Sequence, residues 1–124
     1  GLYRQLQQIP AIKQQTKNEL MRRLQIAKAF MDEQFLTLPT IKYIATQCNL
    51  SEFHFFRLYK KVYGETPYHY MLKKRMEFAA MLLKDPQISV TDVAGMSGFA
   101  DVYAFSKAFK KHFRVAPSQF NWDN

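Results

Sequence analysis

At 124 residues and 48% hydrophobic, the chain has apolar surface enough for one core, or for two small cores that share a helix. Its 18 Lys and Arg against 10 Asp and Glu leave a formal charge of +8, which points to a polyanionic partner. No apolar run reaches membrane-spanning length, no secretory leader opens the sequence and Cys48 has no second cysteine to pair with, so a soluble cytoplasmic protein without membrane contact is predicted.

Residues 1–16 are Gln-rich and contain Pro10, as in a linker or the tail of a preceding domain. From about Lys17 to Gln34, Leu20, Leu24, Ala27 and Met31 recur at three- and four-residue steps, and Phe35 continues the series, which predicts an amphipathic helix. The chain beyond this helix repeats itself. Ile44, Ala45, Cys48 and Leu50 correspond to Val93, Ala94, Ser97 and Phe99 at an offset of 49. Phe55, Arg57, Tyr59, Lys60, Lys61 and Pro67 correspond to Phe105, Lys107, Phe109, Lys110, Lys111 and Pro117 at an offset of 50. Each copy carries helical periodicity on two short segments. Between them stands Asn49 or Gly98, residue types that tolerate the positive φ of a sharp turn. Ala45 and Ala94, one turn earlier, let the two helices approach, and Leu50 and Phe99 plug the corner. Each copy is therefore predicted to be a helix-turn-helix, spanning about 41–63 and about 90–113.

Thr40, Ser51, Ser89 and Asp101 are the expected N-caps, with Ser89 and Asp92 spaced as a capping box. Thr66 and Pro67 open a long helix to about Lys84 that joins the copies, with Leu72, Met76, Ala79 and Leu83 on one face and a stop before Pro86. Ala116 and Pro117 repeat that start. The fold class is all-α: two helix-turn-helix subdomains joined by a long bridging helix, about seven helices in all, within residues 17–124.

The positive charge is local. Lys107, Lys110, Lys111 and Arg114 have no acid among them, and Arg57, Lys60, Lys61, Lys73, Lys74 and Arg75 share their stretch with Glu65 alone. A solvated face is the ordinary reading of single surface cations. Here, however, Arg57, Lys60 and Lys61 hold the same register as Lys107, Lys110 and Lys111, which a merely solvated surface does not require. His54, His69 and His112 lie on different helices without ligand spacing, Cys48 sits at a core position, and no phosphate-binding glycine loop or catalytic triad is present. No enzyme, metal or cofactor is expected. Phe55, Tyr59, Phe105, Phe109 and Phe113 fall at core spacing. A basic protein–protein module or a membrane-surface protein would explain charge and helicity but not the matched repeat; a DNA-repair enzyme would need a nucleophile or zinc cluster beyond Cys48.

The residues Ala45, Leu50, Ser51, Lys60, Lys61, Gly64, Pro67, Tyr70, Arg75, Ala79, Leu82, Leu83, Val93, Ala94, Gly98, Phe99, Phe105, Phe109, Lys110, Lys111 and Pro117, in this order and spacing, resemble the AraC/XylS-type DNA-binding domain over about Leu20 to Phe120. The resemblance implies a bacterial, nucleoid-associated transcription regulator that binds double-stranded DNA. It also implies activation through RNA polymerase and a dimer formed through a sensing domain upstream. Two departures stand out: Arg114 occupies the place of the glycine that closes the second helix, as Gly64 does in the first copy, and Asn121 stands where arginine is usual.

The second helix of a helix-turn-helix enters the major groove by its N-terminal half. The expected base contacts are Phe53, Phe56 and Arg57 in the first copy, with Glu52 and His54 at the margin, and Val102, Tyr103, Ser106 and Lys107 in the second, with Ala104 nearby. Arg57 can grip guanine through two hydrogen bonds, and Phe53, Phe56 and Val102 suit thymine methyls. Expected phosphate contacts are Lys60, Lys61, Lys110 and Lys111, with the cap residues Thr40, Ser51 and Ser89. Arg75 is open between a phosphate contact and an ion pair with an acid such as Glu77 or Asp92.

Overall fold

A computed structural model describes residues 10–120. Six α-helices and one 3-10 turn make up its regular structure: α1 Pro10–Gln34, α2 Ile41–Gln47, α3 Glu52–Tyr63, α4 Pro67–Leu82, α5 Val90–Met96 and α6 Val102–Phe113, then Pro117–Gln119. No strand forms among the described residues. The helix count is close to the seven expected, and the last expected helix is the 3-10 turn, whose cap position, Ala116, has no side chain to bind a free N–H. Asn121 lies outside the described residues.

Helix α1 begins at Pro10, seven residues before the start that its apolar spacing suggests. Gln14, Gln15 and Lys13 are good helix formers without an apolar stripe, and proline suits a helix's first position. Helix α4 ends at Leu82, two residues early, where Lys84 N–H donates to the Met81 carbonyl (3.2 Å) and Asp85 N–H to the Leu82 carbonyl (3.1 Å), tightening the chain before Pro86.

The chain forms two compact units. One holds the residues up to Glu33 with Pro39–Thr66; the other holds Gln34–Leu38 with the residues from Pro67 onward. In the first unit α1 buries Leu24, Ala27 and Met31, at the predicted spacing. From the helix-turn-helix, Ile44, Ala45, Cys48, Phe55 and Tyr59 are likewise buried. Tyr59 stacks obliquely on Phe55 and Tyr63, with ring centres 5.7 and 4.6 Å away.

The core of the second unit is Met76, Ala79 and Ala80 from α4, Val93 and Ala94 from α5, and Phe105 and Phe109 from α6. Phe99, Phe105, Phe109 and Phe113 follow one another at 5.5, 5.5 and 4.6 Å, and Phe120 closes the series against both Phe109 and Phe113. Phe105 and Phe109 are fully buried, each removing on the order of 150–250 Å² from water, and Phe99, Phe113 and Phe120 are half-buried around them.

The duplication extends to burial. Residue for residue, 41–50 have the same pattern of buried, half-buried and exposed positions as 90–99, and 51–70 the same as 101–120. One added residue, Ala100, between the second turn and the cap of α6 accounts for the change of offset from 49 to 50.

Candidate nucleic-acid interface

Both turns are built alike. Asn49 (φ 57°) and Gly98 (φ 89°) take the left-handed conformation, and the next residue turns back on the first helix: Leu50 N–H to the Ala45 carbonyl and Phe99 N–H to the Ala94 carbonyl, each 3.0 Å. The small residue before the turn thus serves as both a close-packing site and an anchor. The four caps stand where expected. Thr40 Oγ1 accepts from Tyr43 N–H (3.1 Å), Ser51 Oγ from His54 N–H (3.1 Å), Ser89 Oγ from Asp92 N–H (3.0 Å) and Asp101 Oδ1 from Ala104 N–H (2.7 Å). Each binds one donor that the first helical turn leaves unpaired.

With its apolar stripe buried, each second helix displays an aromatic residue followed by two cations at four-residue steps: Phe53, Arg57 and Lys61 on α3, and Tyr103, Lys107 and Lys111 on α6. Phe53 is 68% exposed and Tyr103 80%, unusual for aromatic side chains of a packed helix. The Arg57 guanidinium lies 5.3 Å over the Phe53 ring, an arrangement that restrains its long side chain without neutralising it. Lys60 and Lys110 are exposed beside this stripe, Val102 is exposed at the start of α6, and Phe56 and Ser106 share one half-buried register at the stripe's edge. Lys60 and Lys61 on α3, and Lys110, Lys111 and His112 on α6, occupy the last helical turn, where cations are stabilised by the helix dipole.

Arg75 is a correction. It makes neither a surface contact for phosphate nor an ion pair with Glu77 or Asp92. It is 7% exposed, and its guanidinium donates to three carbonyls: Nε to Phe35 (2.9 Å), Nη2 to Leu36 (2.8 Å) and Nη1 to Gly98 (3.1 Å). Its face lies 5.5 Å from the Phe99 ring. Burial holds its pKa below the ordinary arginine value, yet three charge-assisted bonds compensate for lost water. Arg75 therefore ties the second turn to the Gln34–Leu38 segment. The planar five-donor fork explains why arginine fills the position.

The first turn has a different tie, absent from the sequence-based expectations: Arg23 on α1 donates through Nη1 to the Asn49 carbonyl (3.2 Å) while its Nε bonds Glu19 (3.2 Å). Glu19 also pairs with Arg22, and both arginines hold its carboxyl below the usual range. Also unanticipated is Tyr43 on α2, 53% exposed and stacked on Phe30 at 5.7 Å. Its position between core residues of α2 gave a signal that the short helix made ambiguous.

Arg114 closes α6 with φ 70°, the left-handed conformation that Gly64 (φ 74°) uses to close α3. The cap geometry is shared between copies although the residue is not, so the second copy carries backbone strain of about 1 kcal/mol there. Burial raises the Cys48 thiol above its ordinary pKa, and its Sγ lies 3.4 Å from the Ala45 carbonyl, as suits a core residue. Among the described residues no three His, Cys, Asp or Glu gather as metal ligands, and no helix is long and apolar enough to cross a membrane.

Residues 44–121, most of both helix-turn-helix copies with the helix between them, match the helix-turn-helix domain family. The chain belongs to the AraC/XylS type of DNA-binding transcription regulators. It is 36% identical over 92 residues to the MmsAB operon regulatory protein of Pseudomonas aeruginosa, a match that takes in 74% of this chain and 30% of that protein, so the chain spans about a third of such a relative's length. Among solved structures it resembles a Chromobacterium violaceum transcriptional regulator with an AraC-type DNA-binding domain (25% identity, TM-score 0.73, 80% of this chain and 88% of that one). It shares its fold with the DNA-binding domain of the global transcriptional factor AdpA, solved with a target DNA (24% identity, TM-score 0.69, 77% and 86%).

Proposed function

We propose that this chain binds double-stranded DNA sequence-specifically, with one recognition helix in each of two successive major grooves, and so regulates transcription. The observation that carries the reading is the repeated exposed stripe, aromatic then cation then cation, on the second helix of both copies. Arg57 reads guanine, Phe53 and Val102 meet thymine methyls, and Tyr103 and Lys107 read the second sub-site, with Phe56 and Ser106 at the groove edge. Lys60, Lys61, Lys110 and Lys111 hold phosphates. Thr40, Ser51 and Ser89 already accept a backbone N–H, so their hydroxyl protons are what they offer to phosphate. In the cell the chain acts on the nucleoid in the cytoplasm and activates by engaging RNA polymerase.

Selection of bound sequences from random duplex tests this directly. An enriched, asymmetric site with two sub-sites about one helical turn apart is expected; no enrichment over the starting pool refutes sequence-specific binding. Inserting about five base pairs between the sub-sites turns one to the far side of the duplex and should abolish specific binding. Undiminished affinity would mean that only one unit reads DNA.

A further inference from the structure

In the second unit, α4 and α6 face each other across a groove of about 500 Å³. Tyr68, Leu72 and Met76 on α4, at four-residue steps, and Ala104 and Ala108 on α6 form its apolar lining, and His69 and His112 also line it. The two alanines create the space: at the corresponding positions of the first copy stand His54 and Leu58. Lys73, Lys107 and Lys111 line the same groove, and no acid does. Its size is that of a small-molecule site, about 300–1,000 Å³, and a mostly apolar wall with a few convergent charges is the usual make-up of one.

We propose that this groove binds a small amphipathic anion, up to about three rings in size, whose apolar body lies on Ala104, Ala108, Leu72 and Met76 and whose carboxylate or sulfonate meets Lys107 and Lys111. The charge selects the ligand: three ammonium groups around a hydrophobic slot repel cations and reward an anion that buries carbon beside them. His112, also at the groove, has its pKa held below the ordinary value by partial burial and by His69 and Lys73, against the pull of Glu77. Near neutral pH it therefore adds a hydrogen-bonding edge without a fourth charge. Lys107 and Lys111 also belong to the exposed stripe of α6. If that stripe binds DNA, as proposed for it, the anion and the duplex draw on the same two lysines and exclude each other; this consequence rests on the DNA-binding reading.

The probe is 1-anilinonaphthalene-8-sulfonate, titrated by fluorescence into the intact chain, with circular dichroism confirming the fold of each variant. Saturable binding at one site per chain is expected. Ala104→Leu fills the groove from its exposed lip and should weaken binding at least about fivefold, although it adds apolar surface and would brighten any unspecific adsorption. Lys111→Gln should weaken it by a similar factor through lost charge, and Lys111→Arg should restore it. Equal or brighter fluorescence from Ala104→Leu, or indifference to Lys111→Gln, overturns the site. In a separate arm duplex DNA at low salt should displace the probe. Probe and duplex bound together would overturn the exclusion while leaving the site, whereas failure of the chain to bind any duplex would count against the DNA reading and not against the groove.

Discussion

At Gly98 the turn of the second helix-turn-helix has no room for a side chain, and the geometry gives the cost of adding one. A Cβ added there would lie 2.7 Å from the Leu36 carbonyl oxygen and 2.9 Å from Arg75 Cζ, on a residue whose φ is already 89°. The left-handed conformation alone costs an alanine about 1–2 kcal/mol. Relieving the contact means moving the Leu36 carbonyl or the guanidinium, which are bonded to each other at 2.8 Å. Losing one charge-assisted hydrogen bond adds about 1.5–3 kcal/mol, so Gly98→Ala should destabilise the second unit by about 2.5–5 kcal/mol. Asn49→Ala, at the equivalent turn with φ 57°, meets the conformational term and should cost about 1–2 kcal/mol. Urea unfolding followed by far-UV circular dichroism separates the two: at about 1–3 kcal/mol per molar of urea, a gap of some 1.5 kcal/mol or more moves the midpoint by at least about 0.5 M. In an Arg75→Met background the penalty of Gly98→Ala should shrink, because one of the two groups it strikes is gone and the Leu36 carbonyl can move without breaking a charge-assisted bond. Equal midpoints for Gly98→Ala and Asn49→Ala would refute the reasoning, showing that the Arg75 tie yields freely.

Arg114→Gly should raise stability by about 0.5–1 kcal/mol, read as a higher urea midpoint, because glycine accepts φ 70° without strain at some entropic cost in the unfolded chain. Alanine in place of any one of Lys60, Lys61, Lys110 or Lys111 should flatten the log–log dependence of DNA affinity on salt by about one unit; unchanged slopes in all four variants would remove them from the interface. Arg57→Ala should cost about 1–3 kcal/mol on the selected site and relax preference at one or two base pairs, with less effect on random duplex. Equal losses on both would reassign it to the backbone. Lowering pH through the histidine range should reduce stability: the depressed pKa of His112 means that the unfolded chain binds its proton first, so the contribution is complete above about pH 6.5 and is lost as pH falls through the folded value. His112→Gln should flatten that part of the stability profile.

The features legible in the sequence were those with short-range causes. Caps announce themselves through Thr40, Ser51, Ser89 and Asp101, turns through Asn49 and Gly98, and the core face through apolar steps, because each depends on residues within one or two helical turns. Arg75 shows where such reading stops. Its partners are carbonyls of Phe35 and Leu36, about forty residues away, and a carbonyl acceptor is present at every residue, so no residue type marks it. An acid would have left a trace in the sequence; none was needed. The start of α1 was hidden for the opposite reason, since its first turns are helical by propensity without an apolar stripe. The groove between α4 and α6 depends on small residues of one helix meeting large ones of another. In the sequence Ala108 suggested only helix, and Ala104 only a place beside the base-reading residues.

Two copies with the same burial pattern and different exposed residues separate what the fold fixes from what the partner selects. The buried positions keep their character across the repeat: Ile44 and Val93, Phe55 and Phe105, Tyr59 and Phe109. At the exposed positions Phe53 corresponds to Tyr103, Arg57 to Lys107 and His54 to Ala104. A guanidinium offers two parallel donors and an ammonium a single point of charge, so discrimination should be sharper at the first unit's sub-site than at the second's. The unit expected to discriminate less is also the one whose second helix borders an apolar cationic groove. A small anion would thus compete for the cations of the less selective contact, lowering the apparent affinity for the whole site as its concentration rises.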